Sequence, residues 1–225
     1  MQKIIFDIET IAPDFNELSP SLQDYFLERF SHDYPEKSRE ELIKIIEEKM
    51  ALWPQISEIL AISFYNPETK RGAVYLQTKD EIEDWTEGSI DFKRLDNEKD
   101  LILKFWEIIP NYQEVITFNG NRFDLPFLLY RSMKYQIRPT YNLLDKEYHI
   151  DLYEKLSFNS RIHHLSLKLV CLSLGIEDPK KNFDGRMIKE LIKNKDYKNL
   201  ANYALNDVLA TAKIYEVWNN YLRYL

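Results

Sequence analysis

The sequence predicts an α/β protein, a mixed sheet covered by helices. Strand-like apolar runs come early, at 3–8, 55–64, 72–77 and 113–118. Helical periodicity mixes with them and dominates the last third. No repeat, low-complexity tract or Gly/Ser linker interrupts the order, so one domain of 225 residues is expected.

Residues 3–8 read as a buried strand. Residues 21–30 and 38–51 read as charged amphipathic helices, with Ser38 as N-cap and Glu41 completing a capping box. Pro54 ends that stretch, and two strands follow across the turn Asn66-Pro67-Glu68-Thr69. Asn97 opens a helix running into Leu101–Ile109. After the strand at 113–118, Asp124 opens another helix, with Pro126 tolerated in its first turn. Tyr148–Leu152 reads as a further strand. Helices follow at 165–174, ended by Gly175, at 184–194 with Asp184 as N-cap, and at 197–222.

The composition, 44% hydrophobic and 30% charged, is that of a soluble globular chain, and no apolar run approaches the ~20 residues that span a bilayer. The N-terminal apolar run is short and broken by acids, unlike a signal peptide. The one cysteine, Cys171, precludes an intramolecular disulfide and reads as a small buried hydrophobe. Together these features lead to a cytoplasmic expectation, with no membrane partner and a monomer as the default. The net charge of −7 argues against a broad electrostatic grip on duplex nucleic acid, but not against a grip on a strand end. Segment 161–198 leans basic, which fits either a nucleic-acid face or a solvated helix surface.

Four carboxylates and a tyrosine sit where apolar residues would be the default. Asp7 and Glu9 interrupt the strand Ile4-Ile5-Phe6-Asp7-Ile8-Glu9-Thr10 and share one face. Asp124 follows the apolar run 115–118 and the turn Asn119-Gly120-Asn121-Arg122-Phe123; alone, it reads equally well as a helix N-cap. Tyr203 and Asp207 lie one turn apart on the apolar stripe of the last helix. Buried carboxylates are costly unless compensated, so several converging acids suggest a divalent metal site and phosphate chemistry. Asp151 reads as a structural hydrogen-bonder. His163, His164 and Cys171 lack the spacing of a zinc site. No glycine-rich nucleotide loop occurs.

Read together, D-x-E (Asp7, Glu9), N-x3-F-D (Asn119, Phe123, Asp124) and Y-x3-D (Tyr203, Asp207) resemble the DEDDy branch of the DnaQ-like 3′–5′ exonucleases, of ribonuclease H-like fold. The wording is similar in particular to the exonuclease domain of family B DNA polymerases and to stand-alone exonucleases related to it. The segments 51–63, Leu165–Ile176 and Phe183-Asp184-Gly185 extend the resemblance over nearly the whole chain. It implies a three-layer α/β/α fold and a metal-dependent 3′–5′ exonuclease acting on single-stranded or frayed ends, DNA ahead of RNA. The alternatives are an exoribonuclease with the same site and a non-catalytic nucleic-acid-binding domain.

The resemblance also implies two divalent cations, Mg2+ or Mn2+, clamping the attacking and leaving oxygens about 3.5–4 Å apart. Asp7 would bridge both. Glu9 and Asp207 would complete the ion holding the nucleophilic water, Asp124 would support the second, and Tyr203 would orient the water. Thr10, Asn119 and Phe123 would contact the terminal nucleotide, Phe123 alternatively packing in the core. Against the polymerase pattern, a long helical insertion at about 14–50 and a role without a polymerase domain are expected.

Overall fold

The strand expected at the N-terminus extends from Lys3 to Ile11 (β1) and carries the alternation that organises the rest. Ile4, Phe6 and Ile8 enter one apolar core, which by the pleat leaves Asp7 and Glu9 on the opposite face. The computed structural model describes residues 2–145, 147–158, 160–178 and 187–224. They form two compact units, one made of 1–9 and 59–225 and the other of Thr10–Glu58.

The larger unit is organised on a seven-stranded mixed sheet. Its strands are β1, β2 (Glu58–Asn66), β3 (Arg71–Gln77), β4 (Trp85–Glu87), β5 (Ile90–Leu95), β6 (Glu114–Thr117) and β7 (His149–Asp151). Their spatial order is β4-β5-β3-β2-β1-β6-β7. β6 runs parallel to β1 and to β7, with Ile5 opposite Ile116 and Thr117 opposite Asp151. β2 and β3 pair antiparallel across a turn in which Asn66 Oδ1 accepts from the Glu68 and Thr69 amides.

Helices α3 (Glu98–Ile108) and α4 (Asp124–Lys134) pack on the face bearing Phe6 and Ile8, through Leu101, Phe105, Trp106, Leu125 and Leu128. Helix α5 (Leu152–Leu156) follows β7. Helices α6 (Leu167–Ser173) and α7 (Ile188–Lys193) pack on the long α8 (Tyr197–Tyr221), which contacts β3 and β6. With α1 and α2 of the smaller unit there are eight helices among the described residues. This is an α/β fold of the ribonuclease H-like type, as expected.

The smaller unit holds α1 (Pro20–Asp33) and α2 (Arg39–Met50) around Phe15, Phe26, Phe30, Ile46 and Met50. Trp53 stacks on Phe26 at 5.0 Å between ring centroids. The expected Ser38–Glu41 capping box is present. The unit is wider than the 14–50 inferred from helical pattern, because its core also takes in Ala12, Trp53 and Ile56. It contains eleven Asp and Glu against five Lys and Arg, so it carries −6 of the chain's −7. The acidity that argued against gripping a polyanion therefore belongs to the insert, and the sheet-bearing unit is near neutral.

The β4–β5 hairpin, which turns at Gly88 with φ +61°, falls where the sequence analysis expects no strand. Only Ile90 and Phe92 of β5 are buried, too short an alternation to stand out among charges. Helix α5 has five residues, below the length at which helical periodicity is readable. The N-cap expected at Asp184 lies outside the described residues, as does the Phe183-Asp184-Gly185 segment.

His149 on β7 is buried, with Nε2 2.8 Å from Thr117 Oγ1. Burial pushes its pKa down to about 4. The unfolded chain, with an ordinary value near 6.5, therefore binds this proton more readily than the fold does. Its contribution is complete above about pH 6.5 and is lost as pH falls toward 4, reaching about 2 kcal/mol at pH 5. His149→Gln should flatten the stability difference between pH 7.5 and pH 5 by about that amount in urea unfolding. An unchanged difference would contradict this assignment.

Candidate active site

By the register of β1 and β6, Thr117 lies beside Phe6, and β1 continues past the end of β6. Asp7 and Glu9 sit on that overhang, at the carboxyl ends of the parallel strands, where open α/β sheets bind ligands. Helix α8 brings Asp207 to them. One carboxylate oxygen from each of Asp7, Glu9 and Asp207 lies within 4.8 Å of the other two. No His or Cys joins this group among the described residues. Three hard oxygen donors at that separation match the ligand chemistry of a divalent cation. Tyr203 lies one helical turn before Asp207 on α8 and is buried.

Asp124 enters from the far side of β1. It is the first residue of α4, with Phe123 at the N-cap position. Its Oδ1 accepts from the Ile8 amide at 3.0 Å, between Asp7 and Glu9 in the chain. Burial pushes its pKa up to about 7, and the charges of Asp151 and Asp207 add to the rise. The amides of Ile8 and of Asp124 itself oppose them. Asp124 is not among the carboxylates whose oxygens gather within 4.8 Å of one another.

The loop between β6 and α4 is tightly specified. Asn119 adopts φ +68°, a left-handed conformation that asparagine tolerates. Its carbonyl accepts from the amides of Arg122 and Phe123, and the Gly120 carbonyl accepts from Leu125 at 2.9 Å. A Cβ at Gly120 would lie 2.3 Å from Thr117 Oγ1 and 2.6 Å from Thr117 Cβ, so the backbone passes where no other residue fits. Gly120→Ala should cost about 1–3 kcal/mol and lower the melting temperature, because the loop must shift off β6. Melting unchanged from wild type would mean that the loop is not so constrained.

The residues expected at the terminal nucleotide fall in different settings. Asn119 is on this loop. Phe123 packs at the edge of the α3–α4 core, its ring 5.7 Å from that of Phe127, which matches the core alternative. Thr10 belongs to the smaller unit and is buried, its hydroxyl donating to the Ala51 carbonyl at 2.7 Å. Asp151 is a structural acceptor, taking amides of Asn119, Asn121 and Tyr153. Cys171 is buried, which pushes its thiol up to about 11, so it is inert.

Sequence reasoning missed the buried pair Glu98–Arg131, which ties α3 to α4 beneath the Asp124 helix. An acid and a base 33 positions apart carry no local pattern that would join them. His149 was also passed over, a lone histidine in a short strand.

No helix among the described residues is long and apolar enough to cross a membrane. The chain is 25% identical, over 95% of its length, to DNA polymerase 1 of Sulfolobus acidocaldarius, and covers 24% of that polymerase. It is 32% identical over 56% of its length to DNA polymerase 1 of Sulfurisphaera ohwakuensis, covering 15% of it. The chain thus spans a quarter or less of the length of these relatives. Residues 69–224 match the profile of a family described as predicted 3′–5′ exonucleases related to the exonuclease domain of PolB. That match takes in the β6–α4 loop, Asp124 and the whole of α8, and the chain belongs to this family.

Proposed function

We propose that the protein is a metal-dependent 3′–5′ exonuclease that shortens single-stranded or frayed DNA from its 3′ end. The observation that carries this reading is the meeting of Asp7, Glu9 and Asp207 from β1 and α8, with oxygens within 4.8 Å. DNA is favoured over RNA because the similar proteins are named DNA polymerases. The chain acts as one exonuclease domain, with Thr10–Glu58 as a helical insertion and the monomer as the working unit.

Asp7, Glu9 and Asp207 hold divalent cations, Mg2+ or Mn2+, with Asp124 behind them. Bound in pairs, such ions neutralise phosphate charge and generate a nucleophilic water at neutral pH. Asp7 and Glu9 are fixed in direction by the strand, and Asp207 by the buried stripe of α8. Asp124 supports the site from the Ile8 amide. Tyr203 orients the attacking water through its hydroxyl. An ordinary tyrosine ionises near 10, so it positions rather than deprotonates. Asn119 borders the terminal nucleotide. The near-neutral charge of the sheet-bearing unit leaves recognition to the strand end.

The test is incubation with 5′-labelled single-stranded DNA and RNA, in Mg2+, in Mn2+ and in chelator. The expected result is a ladder receding from the 3′ end of DNA, abolished by chelator. Shortening of RNA alone would replace the substrate, leaving the chemistry. No metal-dependent shortening of any strand would overturn the reading.

A further inference from the structure

The acid of the β7–α5 junction takes no part in the carboxylate cluster, yet two of its three hydrogen bonds run to the loop that bears Asn119. Asp151 is buried, at 2% exposure. Oδ1 accepts from the Asn119 amide at 2.8 Å and from the Tyr153 amide at 2.9 Å, the latter capping α5. Oδ2 accepts from the Asn121 amide at 3.0 Å. One carboxylate thus joins β7, the start of α5 and two alternate amides of the β6–α4 loop. Around it, the Arg122 guanidinium lies 5.1 Å over the Tyr153 ring, and Phe118 meets that ring edge-on at 6.1 Å. The loop is therefore clasped to α5 on both sides of Asn119.

Asp124 has an anchor outside this loop, the Ile8 amide on its own carboxylate, while the Gly120 carbonyl, between Asn119 and Asn121, accepts from the Leu125 amide. Loss of Asp151 would release Asn119, with its positive φ, and Asn121, but would leave Asp7, Glu9 and Asp207 on β1 and α8 in place.

We propose that Asp151 is a positioning residue: its carboxylate sets the Asn119–Asn121 backbone that receives the strand end, without holding metal. This rests on the exonuclease reading above. A carboxylate accepting three amides is a rigid three-way junction, since charge-assisted bonds are stronger than neutral ones. Small misplacements of binding groups cost rate or affinity out of proportion to their size.

The experiment compares wild type, Asp151→Ala and Asp151→Asn in steady-state shortening of a single-stranded DNA oligonucleotide, alongside calorimetric Mn2+ titration. Asp151→Ala should raise KM about tenfold, hold kcat per folded molecule within about threefold, and leave Mn2+ affinity unchanged. Asp151→Asn keeps an acceptor for Asn119 and Tyr153 but offers Asn121 an amide that cannot accept. It should fold and give an intermediate KM, so the inference stands or falls on it if the alanine variant does not fold. A KM equal to wild type in the folded variants, with only the melting temperature lowered, would overturn the inference. Weakened Mn2+ binding would also overturn it, by making Asp151 a ligand. A wild-type protein that shortens no strand fails the exonuclease reading itself, a different result from either.

Discussion

Asp207→Asn should lower the rate of 3′-end shortening by about a thousandfold or more, with the fold intact. Removing one preorganised charge from a site that stabilises a developing oxyanion typically costs ~10²–10³ in rate, and here a cation would lose a ligand as well. The substitution is close to isosteric, and α8 is held by Leu200, Tyr203, Ala204, Val208, Thr211 and Ile214, which are all buried. Circular dichroism and melting should therefore resemble wild type while activity collapses. Activity within about threefold of wild type would show that the cluster is not where the phosphodiester is cut.

Arg131→Ala should have the largest effect on stability, about 3–5 kcal/mol, equivalent to roughly 10 °C in melting temperature for a chain of this size. Arg131 is fully buried, and Glu98 is 1% exposed. Arg131 Nε donates to Glu98 Oε1 at 2.7 Å and Nη2 donates to Oε2. The same carboxylate accepts from the Ile59 amide at 2.8 Å and the Tyr135 hydroxyl at 2.9 Å. It thereby joins β2, α3 and α4. Truncating the arginine leaves a buried carboxylate without its cation, the costly way to break such a pair. The double variant Glu98→Leu, Arg131→Met should recover only part of the loss, since apolar groups can replace a buried pair but leave the Ile59 amide and Tyr135 hydroxyl without the Glu98 acceptor. A single variant melting within about 2 °C of wild type would show that water or movement compensates Glu98.

The fold was legible where its physics is local. The alternation in β1, the Ser38 and Asn97 caps and the unbroken stripe of α8 are written within a few residues of one another, and the structure places each close to where the pattern puts it. The β4–β5 hairpin was hidden because an edge ribbon buries little, leaving Asp91, Lys93 and Arg94 to dominate its composition. Glu98–Arg131 and His149–Thr117 were hidden for another reason: each partner looks ordinary until the fold joins distant segments.

The site was legible in its parts. The spacing of Asp7 and Glu9 on a strand, and of Tyr203 and Asp207 on a helix, fixes their faces before any fold is known. What the sequence left open was whether the two faces meet, and they do. Asp124 kept two readings because a carboxylate at a strand-to-helix junction is an ordinary cap. Its bond to Ile8, 116 positions away, needs the fold to be seen. Phe123 kept two readings as well, and its ring packs against the core.

The central claim is that Asp7, Glu9 and Asp207 form one divalent-cation site. Calorimetric titration of the metal-free protein with Mn2+, repeated on Asp7→Ala and Asp207→Asn, tests it most directly. Saturable binding by wild type, weakened about tenfold or more by each substitution, is the result predicted. Absence of binding to wild type, or equal affinity in all three proteins, would contradict it.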